Sequence, residues 1–317
     1  MEWYTMILTI TLNPAVDISY KLDNLLLDTV NRVEDVSKTA GGKGLNVARV
    51  LQQLGEDVAA SGFLGGSLGD FIRTQLAVIG IQDFFVPIDG ETRNCIAVIH
   101  EGKQTEILET GPVISVGEAA LFLDKFTEYA EQVEIVTLSG SLPKGLPTDF
   151  YVELVKICNQ YDTQVLLDSN GAILTALVAS EHKPYLIKPN EEELADLLGQ
   201  TSLDETQIME ALESTLFTDI PWVVVTLGAD GAIVKNNKTL YRAKAPKVKA
   251  VNPVGSGDSV IAGFAAGIAR GLEDAALIKY GLSIGVLNAL EEKTGHINAE
   301  KVEWAVEQML VDRIERG

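Results

Sequence analysis

Short apolar runs alternate with amphipathic stretches through most of the 317-residue chain, and this alternation limits the folds open to it. Each apolar run ends near Gly, Ser, Asp or Asn, and those that we predict as strands are Val58–Leu64, Ile135–Leu138, Val165–Leu167 and Trp222–Leu227. Between the runs, apolar residues recur at helical spacing, as in Gly44–Leu54, which Gly55 terminates. The sequence therefore predicts an α/β fold with a mainly parallel central sheet flanked by helices, in which ligands bind at the carboxyl ends of the strands.

Two segments, Asp17–Lys38 and Thr92–Thr110, break this pattern because they show strand-like alternation without an intervening helix. In the second segment, alternation separates two rows of side chains, with Cys95, Ala97 and Ile99 facing away from Asn94, Ile96 and Val98. We predict a small antiparallel sheet that serves as a lid, a dimer interface or both. Without internal repeats or Pro-rich linkers, we expect one domain over residues 1–317, with a lid formed by about residues 17–38 and 92–110.

The composition and net charge of the chain restrict which classes of binding partner we expect. Hydrophobic residues make up 46% and charged residues 22%, as in an ordinary globular protein, and the formal net charge is -20. A surface this acidic repels nucleic acid and anionic membranes, so we expect neither as a partner. An anionic substrate would need a local basic pocket, which directs attention to inward-facing Lys and Arg side chains.

The two cysteines, Cys95 and Cys158, show no CxxC or Cys/His metal spacing, and we interpret them as buried thiols in a reducing compartment. No apolar run approaches the roughly 20 residues of a membrane span, and the start of the chain lacks the pattern of a signal peptide. We therefore expect a cytoplasmic protein. The three histidines lie near no candidate nucleophile, and we interpret them as structural; they are His100, His182 and His296.

The segment Asn252–Ser259 carries the strongest chemical signal in the sequence. It follows a strand-like run, Val248–Val251, and opens a long helical pattern, so we place it at a strand-to-helix turn. Gly255 and Gly257 allow a tight turn whose N–H groups point to one spot, and the helix N-terminus adds about half a positive charge. The segment therefore fits an anion cradle, with Asp258 beside it.

Taken alone, Asp258 is more typical of a helix cap than of a catalytic group. Beside an anion cradle, however, it fits phosphoryl transfer, in which amides stabilise the phosphoryl group and the carboxylate accepts the proton of an attacking hydroxyl. Other glycine motifs fit poorly. The run misses the dinucleotide fingerprint at its last position, and Lys43 is followed by Gly44 rather than by the Ser or Thr of a Walker A loop.

A second glycine-rich segment, Ala40–Asn46, precedes the first long helix. Its glycines and Lys43 form a turn in which amides and an ammonium group can meet a phosphate, although a solvated loop lysine is an equally good interpretation. Asn46, in the first helical turn, can hydrogen-bond a sugar hydroxyl. Upstream, Asn13–Asp17 ends the first strand with a carboxylate that can hold vicinal hydroxyls or can simply belong to a surface turn.

Together these segments resemble the ribokinase/PfkB family of sugar kinases over essentially the whole chain. The resemblance rests on five motifs in the family's order: Asn13–Asp17, Gly41–Asn46, Ser139–Pro143, Lys188–Asn190 with Glu193, and Gly255–Asp258. It implies a ribokinase-like α/β core with a β-sheet lid, which two protomers often share, and therefore a homodimer through the lid. It also implies ATP as the phosphoryl donor, together with Mg²⁺.

Within the family, the chain looks like the ketohexose-phosphate branch, on the segments Asn31–Ala40, Gly90–Ile96, His100–Glu109 and Asn252–Ser259. This implies ATP-dependent phosphorylation of a ketohexose monophosphate, D-tagatose 6-phosphate to the 1,6-bisphosphate, with fructose 1-phosphate as the alternative acceptor. A non-catalytic sugar-phosphate sensor would not need Asp258. A nucleoside kinase would not need a basic cluster for a substrate phosphate.

The resemblance also implies a role for each matching residue. Asp258 becomes the proton acceptor, and the anion hole consists of the amides around Gly255, Ser256 and Gly257, where Ser256 replaces the Ala of many relatives. The sugar hydroxyls are assigned to Asp17, Gly42 and Asn46, and the phosphate already on the sugar to Arg32, Lys43, Arg93 and Ser139. The nucleotide is assigned to Lys188, Asn190, Thr226, Gly228 and Asn288, and hydrated Mg²⁺ to Asn190 and Glu193 through water. Met1–Thr5 precede the family's usual start, and we interpret them as an extension without functional weight.

Overall fold

The computed structural model describes residues 6–315, so Met1–Thr5, interpreted above as an extension, lie outside the described residues. The strands are β1 Ile7–Thr11, β2 Ala15–Leu22, β3 Asp35–Gly41, β4 Val58–Leu64, β5 Gln82–Asp83, β6 Val86–Pro87, β7 Arg93–His100, β8 Lys103–Leu108, β9 Ile135–Ser139, β10 Gln164–Asp168, β11 Leu186–Ile187, β12 Trp222–Thr226, β13 Ala232–Asn236, β14 Thr239–Lys244 and β15 Leu310–Arg313. The α-helices are α1 Lys43–Gln53, α2 Gly66–Val78, α3 Val116–Ala130, α4 Phe150–Gln160, α5 Gly171–Ala179, α6 Glu191–Leu197, α7 Glu205–Glu213, α8 Ser256–Ala269, α9 Asp274–Ala289 and α10 Val302–Gln308. Short 3₁₀ turns occupy Thr215–Phe217, Gly228–Asp230 and Ala299–Lys301.

Most strands belong to one large sheet. Within residues 6–315 it has 11 strands in the order β15-β14-β13-β12-β11-β10-β9-β1-β4-β5, with β6 also beside β4. The neighbours from β5 to β12 pair in parallel, whereas those from β12 to β15 pair antiparallel. The predicted mainly parallel sheet is therefore confirmed, and the carboxyl ends of its parallel strands lie along one edge.

Helices cover both faces of the large sheet because each strand alternates apolar side chains between two cores. In β1, Ile7 belongs to one core and Leu8 to the other, and both side chains are fully buried. Leu166 and Leu167 of β10 divide in the same way. The first core includes side chains of α1, α8 and α9, and the second includes those of α3, α4 and α5. Each buried Leu or Ile contributes about 1.5–3 kcal/mol to stability.

Most elements predicted from the sequence are confirmed. The predicted strand Val58–Leu64 is β4, and the predicted helix Gly44–Leu54 is α1 shifted by one residue. The strand predicted at Val248–Val251 is wrong, because these residues pair with no strand. Val251 is 59% exposed, and its N–H donates to the carbonyl of Ala289 at the end of a helix. Across residues 6–315, every helix is too short or too polar to cross a membrane.

Four strands form a separate lid sheet in the order β3-β2-β7-β8. The two outer pairs are antiparallel, as predicted, but the central pair of β2 and β7 is parallel, so the lid is mixed rather than wholly antiparallel. The reason is that both central strands start at the same end of the lid, where Ala15 and Arg93 are partners, and each is followed by its own returning strand. The prediction of a separate small sheet beside the main one is nevertheless confirmed.

Candidate active site

A cavity of about 1430 Å³ lies where the carboxyl ends of the main strands meet the lid sheet. The main sheet supplies one wall through residues at strand ends, namely Thr11, Ser139, Asp168 and Thr226. The lid supplies another wall through Asp17, Ser19, Cys95, Ala97 and Ile99. The last three line the cavity together, as their alternation predicts, and Ile96 of the opposite row also borders it. The cavity occupies the place where α/β sheets bind ligands.

The turn into α8 has the geometry of an anion cradle. Gly255 is the N-cap with φ 81°, a left-handed conformation that residues with a side chain seldom adopt. A Cβ at this position would also lie 2.5 Å from Cγ2 of Thr294. Asn252 Oδ1 accepts a hydrogen bond from the N–H of Val254 at 3.0 Å, which holds the turn. The N–H of Ser256 donates to the carbonyl of Pro253 at 3.2 Å. Because Gly255 has no side chain to cap α8, the next amides of the helix, those of Gly257 and Asp258, are left for an anion.

Asp258 lies in the first turn of α8 and is 6% exposed. Its Oδ2 accepts a hydrogen bond of 2.8 Å from Nδ2 of Asn46. Burial raises the pKa of Asp258 to about 7, and the charge of Asp168 adds to this rise. The Asn46 hydrogen bond and the ammonium groups of Lys43 and Lys188 oppose it. A buried carboxylate whose pKa lies near neutral pH is suited to accept a proton.

Asp168, which the sequence analysis did not single out, joins the two lysines of the cavity. Its Oδ1 is 3.2 Å from Nζ of Lys188, and its Oδ2 is 3.6 Å from Nζ of Lys43. Asp168 and Lys188 are 2% and 4% exposed, so each compensates a charge that would otherwise be buried alone. Asp168 directly follows the predicted strand Val165–Leu167, so the rule that ligands bind at strand ends was the signal that could have found it.

Lys43 and Lys188 bring two ammonium groups close to the start of α8. Burial lowers the pKa of Lys43, but the surrounding carboxylates outweigh burial and raise it on balance; they belong to Asp168, Asp258 and Glu193. A Cβ at Gly257 would lie 3.3 Å from Nζ of Lys188, so this lysine approaches the cradle closely. The two lysines supply the local basic pocket that an anionic substrate needs in a chain of net charge -20.

Asp17 faces the cavity from β2, in the lid sheet. Burial raises its pKa to about 6, although the guanidinium groups of Arg49 and Arg93 oppose this rise. Gly41 leaves room for the carboxyl group, because a Cβ there would overlap the Cγ atom of Asp17. Gly42 lines the same part of the cavity as the N-cap of α1, with φ 110°.

The structure brings three of the four predicted phosphate-binding residues to the cavity; Lys43 is the one described above. Ser139 Oγ is buried and has no hydrogen-bond partner within residues 6–315, which fits a ligand contact. Arg93 donates from Nη1 to the carbonyl of Glu109 at 2.8 Å and from Nη2 to that of Asn13 at 3.1 Å. Part of its guanidinium group thus holds the lid in place. Arg32 is exposed in the loop between β2 and β3 and does not line this cavity.

Asn190 and Glu193 form the capping box at the start of α6. Asn190 Oδ1 accepts from the N–H of Glu193 at 2.8 Å, and Glu193 Oε2 accepts from the N–H of Asn190 at 2.9 Å. Both residues line the cavity, and Glu193 Oε1 lies outside the capping box. In the described part of the chain, no three Asp, Glu, His or Cys side chains converge to hold an ion. The residues present fit a hydrated Mg²⁺ held through water, rather than a dehydrated one.

On the predicted nucleotide side, Thr226 at the end of β12 and Gly228 just beyond it line the cavity. Asn288 does not line it and is fully buried in α9. Its Nδ2 donates to the carbonyl of Val254 at 2.9 Å, and its Oδ1 accepts from the N–H of Gly295 at 2.9 Å. The assignment of Asn288 to the nucleotide is therefore corrected. Its amide braces the cradle turn from behind, and protein atoms occupy both of its ends.

Further polar groups of the cavity went unnoticed in the sequence. Thr11 Oγ1 and Asn13 Oδ1 line the cavity and are buried without a hydrogen-bond partner among residues 6–315. His296, interpreted above as structural, also lines the cavity, with Nδ1 at 3.3 Å from the carbonyl of Thr294. Asn13 begins the motif Asn13–Asp17, which was the signal for it, although the sequence analysis gave this residue no role of its own. Thr11 ends β1 and could have been found only by the rule of strand ends, and His296 lies in a late turn without a motif.

An α/β sheet with a lid, a helix N-terminus open to an anion and an adjacent proton-accepting carboxylate define a kinase that acts on a small molecule. Residues 6–301 match the pfkB family of carbohydrate kinases, and the chain belongs to this family. The resemblance that the sequence motifs indicate is therefore confirmed, together with the ribokinase-like fold.

Known proteins resemble the chain over nearly its whole length. Tagatose-6-phosphate kinases from two strains of Staphylococcus epidermidis are each 48% identical over 307 residues, which cover 96% of this chain and 99% of the relative. A crystal structure from Staphylococcus aureus, provisionally described as a phosphofructokinase, shares 31% identity with a TM-score of 0.85, covering 98% of this chain and 99% of that chain. Escherichia coli phosphofructokinase-2 in complex with fructose-6-phosphate has the same fold, with a TM-score of 0.86 at 24% identity and coverage of 96% and 98%.

Proposed function

We propose that the protein transfers a phosphoryl group from ATP to the 1-hydroxyl of D-tagatose 6-phosphate and forms D-tagatose 1,6-bisphosphate. The observation that carries the proposal is that Asp258, the open start of α8 and two lysines face one cavity. The sugar is inferred from the relatives that are 48% identical, both of which are tagatose-6-phosphate kinases.

In the proposed reaction, the 1-hydroxyl oxygen bonds to the γ-phosphorus of ATP while the bond from that phosphorus to the bridging oxygen breaks. ADP leaves, and Asp258 takes the proton of the hydroxyl. The amides at Gly255 and Gly257 and the Lys188 ammonium stabilise the charge on the transferred group, whereas the Ser256 N–H donates to the carbonyl of Pro253 and helps to shape the turn. This is a direct in-line transfer without a phosphoenzyme.

The sugar binds between the lid and the main sheet. Its hydroxyl groups meet Asp17, Gly42 and Asn46, and its 6-phosphate meets Lys43, Arg93 and Ser139. Holding the phosphate fixes the distance to the hydroxyl at the other end of the sugar, so the anchor contributes to rate as well as affinity. The buried, unpartnered hydroxyl of Ser139 supports this placement. Contact between the phosphate and Arg32 stays a prediction.

The nucleotide binds on the opposite side of Asp258, near Thr226 and Gly228, with Lys188 beside its phosphates. A bound Mg²⁺ would supply neutralisation of the phosphate charge. Glu193, the carboxylate that keeps one oxygen outside the capping box, would contact this hydrated ion through water. Asn190 orients Glu193 and has less to offer the ion, because its Oδ1 already accepts from the backbone.

We also propose that the chain acts as one kinase domain and pairs with a second copy through the lid. Apolar side chains on the lid and its loop support the pairing, since each is at least 58% exposed; they are Leu26, Leu27, Val30 and Ile107. Covering this surface with a second lid would remove it from water. The unpaired thiols Cys95 and Cys158 support a reducing cytoplasmic location.

Fructose 1-phosphate is the second candidate acceptor. A Thermotoga maritima structure provisionally described as a 1-phosphofructokinase supports it, with 25% identity and a TM-score of 0.86. A coupled assay of ADP release with tagatose 6-phosphate, fructose 1-phosphate, fructose 6-phosphate and ribose distinguishes the candidate acceptors. The highest kcat/KM with tagatose 6-phosphate supports the proposal, and a higher value with fructose 1-phosphate replaces it. Turnover of ribose without turnover of any phosphorylated sugar would overturn the phosphate anchor.

A further inference from the structure

We propose that Arg49, a residue of α1 that does not line the cavity, positions the proton acceptor Asp258 by fixing which end of the Asn46 amide faces it. This inference rests on the proposed kinase function and adds a positioning residue to it. Arg49 matches none of the motifs discussed above, and its role follows only from contacts between distant parts of the chain.

The orientation of the Asn46 amide is the first step. An asparagine amide donates at Nδ2 and accepts at Oδ1, whereas a guanidinium group can only donate. Arg49 Nη1 lies 3.1 Å from Asn46 Oδ1, so the acceptor end of the amide must face Arg49. The donor end then faces Asp258, at 2.8 Å from Oδ2. Without the guanidinium group, nothing in this pair of contacts prevents the amide from turning around.

Arg49 is itself held on two sides, which is the second step. Nη1 also donates to the carbonyl of Thr294 at 3.2 Å, and Nη2 donates to the carbonyl of Ala40. A Cβ at Gly295 would lie 2.7 Å from Nη1, so the backbone there approaches the guanidinium group closely. Arg49 therefore ties the end of the lid strand β3 to the segment that carries Thr294 and Gly295.

The same segment braces the anion cradle. The N–H of Gly295 donates to Asn288, and Asn288 donates in turn to the carbonyl of Val254 in the cradle turn. Two chains of hydrogen bonds thus leave Arg49, one through Asn46 to Asp258 and one through Thr294–Gly295 to the cradle. The carboxylate acts on the attacking hydroxyl and the amides act on the phosphoryl group that it attacks. Contacts of one guanidinium group therefore help to fix the relative positions of both.

The charges around Asp258 show what a turned amide would do. The carboxylate of Asp168 on β10 opposes ionisation of Asp258, whereas the ammonium groups of Lys43 on α1 and Lys188 after β11 and the Asn46 hydrogen bond favour it. The Arg49 guanidinium group also interacts with the carboxylate directly through its charge, which Arg49→Lys retains. An Asn46 oxygen in place of the nitrogen would remove a donor and set two acceptors against each other. Asp258 would then hold its proton more tightly and lose its fixed orientation.

Two variants of the full-length enzyme test the proposal. Arg49→Met removes every hydrogen-bond donor of the side chain, and Arg49→Lys keeps the positive charge but lacks the paired N–H donors of the guanidinium group. We expect kcat for the sugar phosphate to fall roughly ten- to a hundredfold in the Met variant, while KM for ATP stays within about threefold. The acid limb of the kcat–pH profile should move to higher pH in both variants, less so with Lys. A folded variant with the wild-type pH profile and kcat would overturn the proposal.

A double variant separates positioning from a general loss of structure. If Arg49 acts through Asn46, adding Arg49→Met to Asn46→Ala should lower kcat by no more than about twofold further. The same fold-loss in both backgrounds would show that Arg49 acts by another route. Failure of both single variants to fold would make Arg49 a residue of the fold and would equally count against the proposal. Absence of activity in the wild-type protein with all four sugars would refute the proposed function instead.

Discussion

Nδ2 of Asn46 lies 2.8 Å from Oδ2 of Asp258, although the two residues are 212 positions apart in the chain. Asn46 is in the first turn of α1 and Asp258 in the first turn of α8, so two helix N-termini converge at one point of the cavity. The positive ends of both helix dipoles favour negative charge there. This convergence is the setting for a reaction between two phosphorylated molecules.

Replacing Asp258 by Asn should lower kcat by about a hundredfold or more, because the amide cannot accept the proton of the attacking hydroxyl. KM for the sugar phosphate and for ATP should change little, since the cradle and the cations are retained. Steady-state kinetics with both substrates measure this, and circular dichroism confirms folding. A kcat close to wild type would remove Asp258 from the proposed mechanism.

The pH dependence of activity follows from the pKa of Asp258, which burial raises to about 7. Because the ionised carboxylate accepts the proton, kcat should rise with pH through about 7 and level off above it. Initial rates at saturating substrate between pH 5.5 and pH 9 give the profile. A flat profile across this range would contradict a base of this pKa.

The stability of the fold should depend on pH in the opposite direction to kcat: it should fall as Asp258 ionises. The folded-state pKa of Asp258 lies above its ordinary value of 3.8, so the folded protein holds the proton more tightly than the unfolded chain. Its contribution to stability is therefore greatest below pH 4 and is lost as pH rises through about 7. Asp258→Asn should consequently raise Tm relative to wild type more at pH 8 than at pH 4.5. The corresponding difference in the free energy of unfolding is roughly a few kcal/mol. A Tm difference that does not depend on pH would be the opposing result.

Gly41→Ala should raise KM for the sugar phosphate by about tenfold or more, because the new Cβ would displace the carboxyl group of Asp17. The sugar would then lose a hydrogen bond from its hydroxyl group to the charged carboxylate. Gly117→Ala is the matched control, since a Cβ at that position in α3 meets no atom within 4 Å. KM for ATP should stay near wild type in both variants. Equal increases in KM for sugar and ATP after Gly41→Ala would argue against a local effect on Asp17.

Two buried lysines allow a paired test of the basic pocket. Lys188 is 4% exposed in the cavity, whereas Lys235 is 6% exposed elsewhere and donates to the carbonyls of Phe217 at 2.8 Å and Ile220 at 2.9 Å. Lys188→Met should lower kcat by about tenfold or more. Lys235→Met should leave kcat within about twofold but cost about 1–3 kcal/mol in urea unfolding. Similar losses of kcat in both variants would mean that the effect is not electrostatic.

The elements that sequence predicts well are those whose signals are local. Gly55 ends a helix with clear apolar spacing, and the runs that became β4 and β9 are bounded by turn residues. Val248–Val251 shows why such signals are incomplete, because alternation describes a chain segment but not whether a strand lies beside it. The same limit applies to the lid, where the parallel pairing of β2 and β7 depends on where two distant segments begin.

The candidate site divides in the same way. Asp258 and Lys43 stand in glycine-rich motifs, so they could be found without coordinates. Asp168 has no motif, and its importance comes from two lysines that are distant in sequence. Asn288 was assigned to the nucleotide, but the carbonyl and amide that occupy its side chain belong to residues that only the fold brings near. Contacts of this kind follow from tertiary packing and produce no periodic pattern in the sequence.

The register of β2 constrains how proteins of this kind can vary in length. Ala15 pairs with Gly41 on one side and with Arg93 on the other, so both neighbours fix the strand at once. Inserting or deleting a single residue between Ala15 and Asp17 would send the carboxylate to the opposite face of the lid. Residues 23–34 lie outside both ladders, and a longer or shorter loop there would leave the pairing intact. Insertions and deletions should therefore accumulate in that loop and be absent from β2.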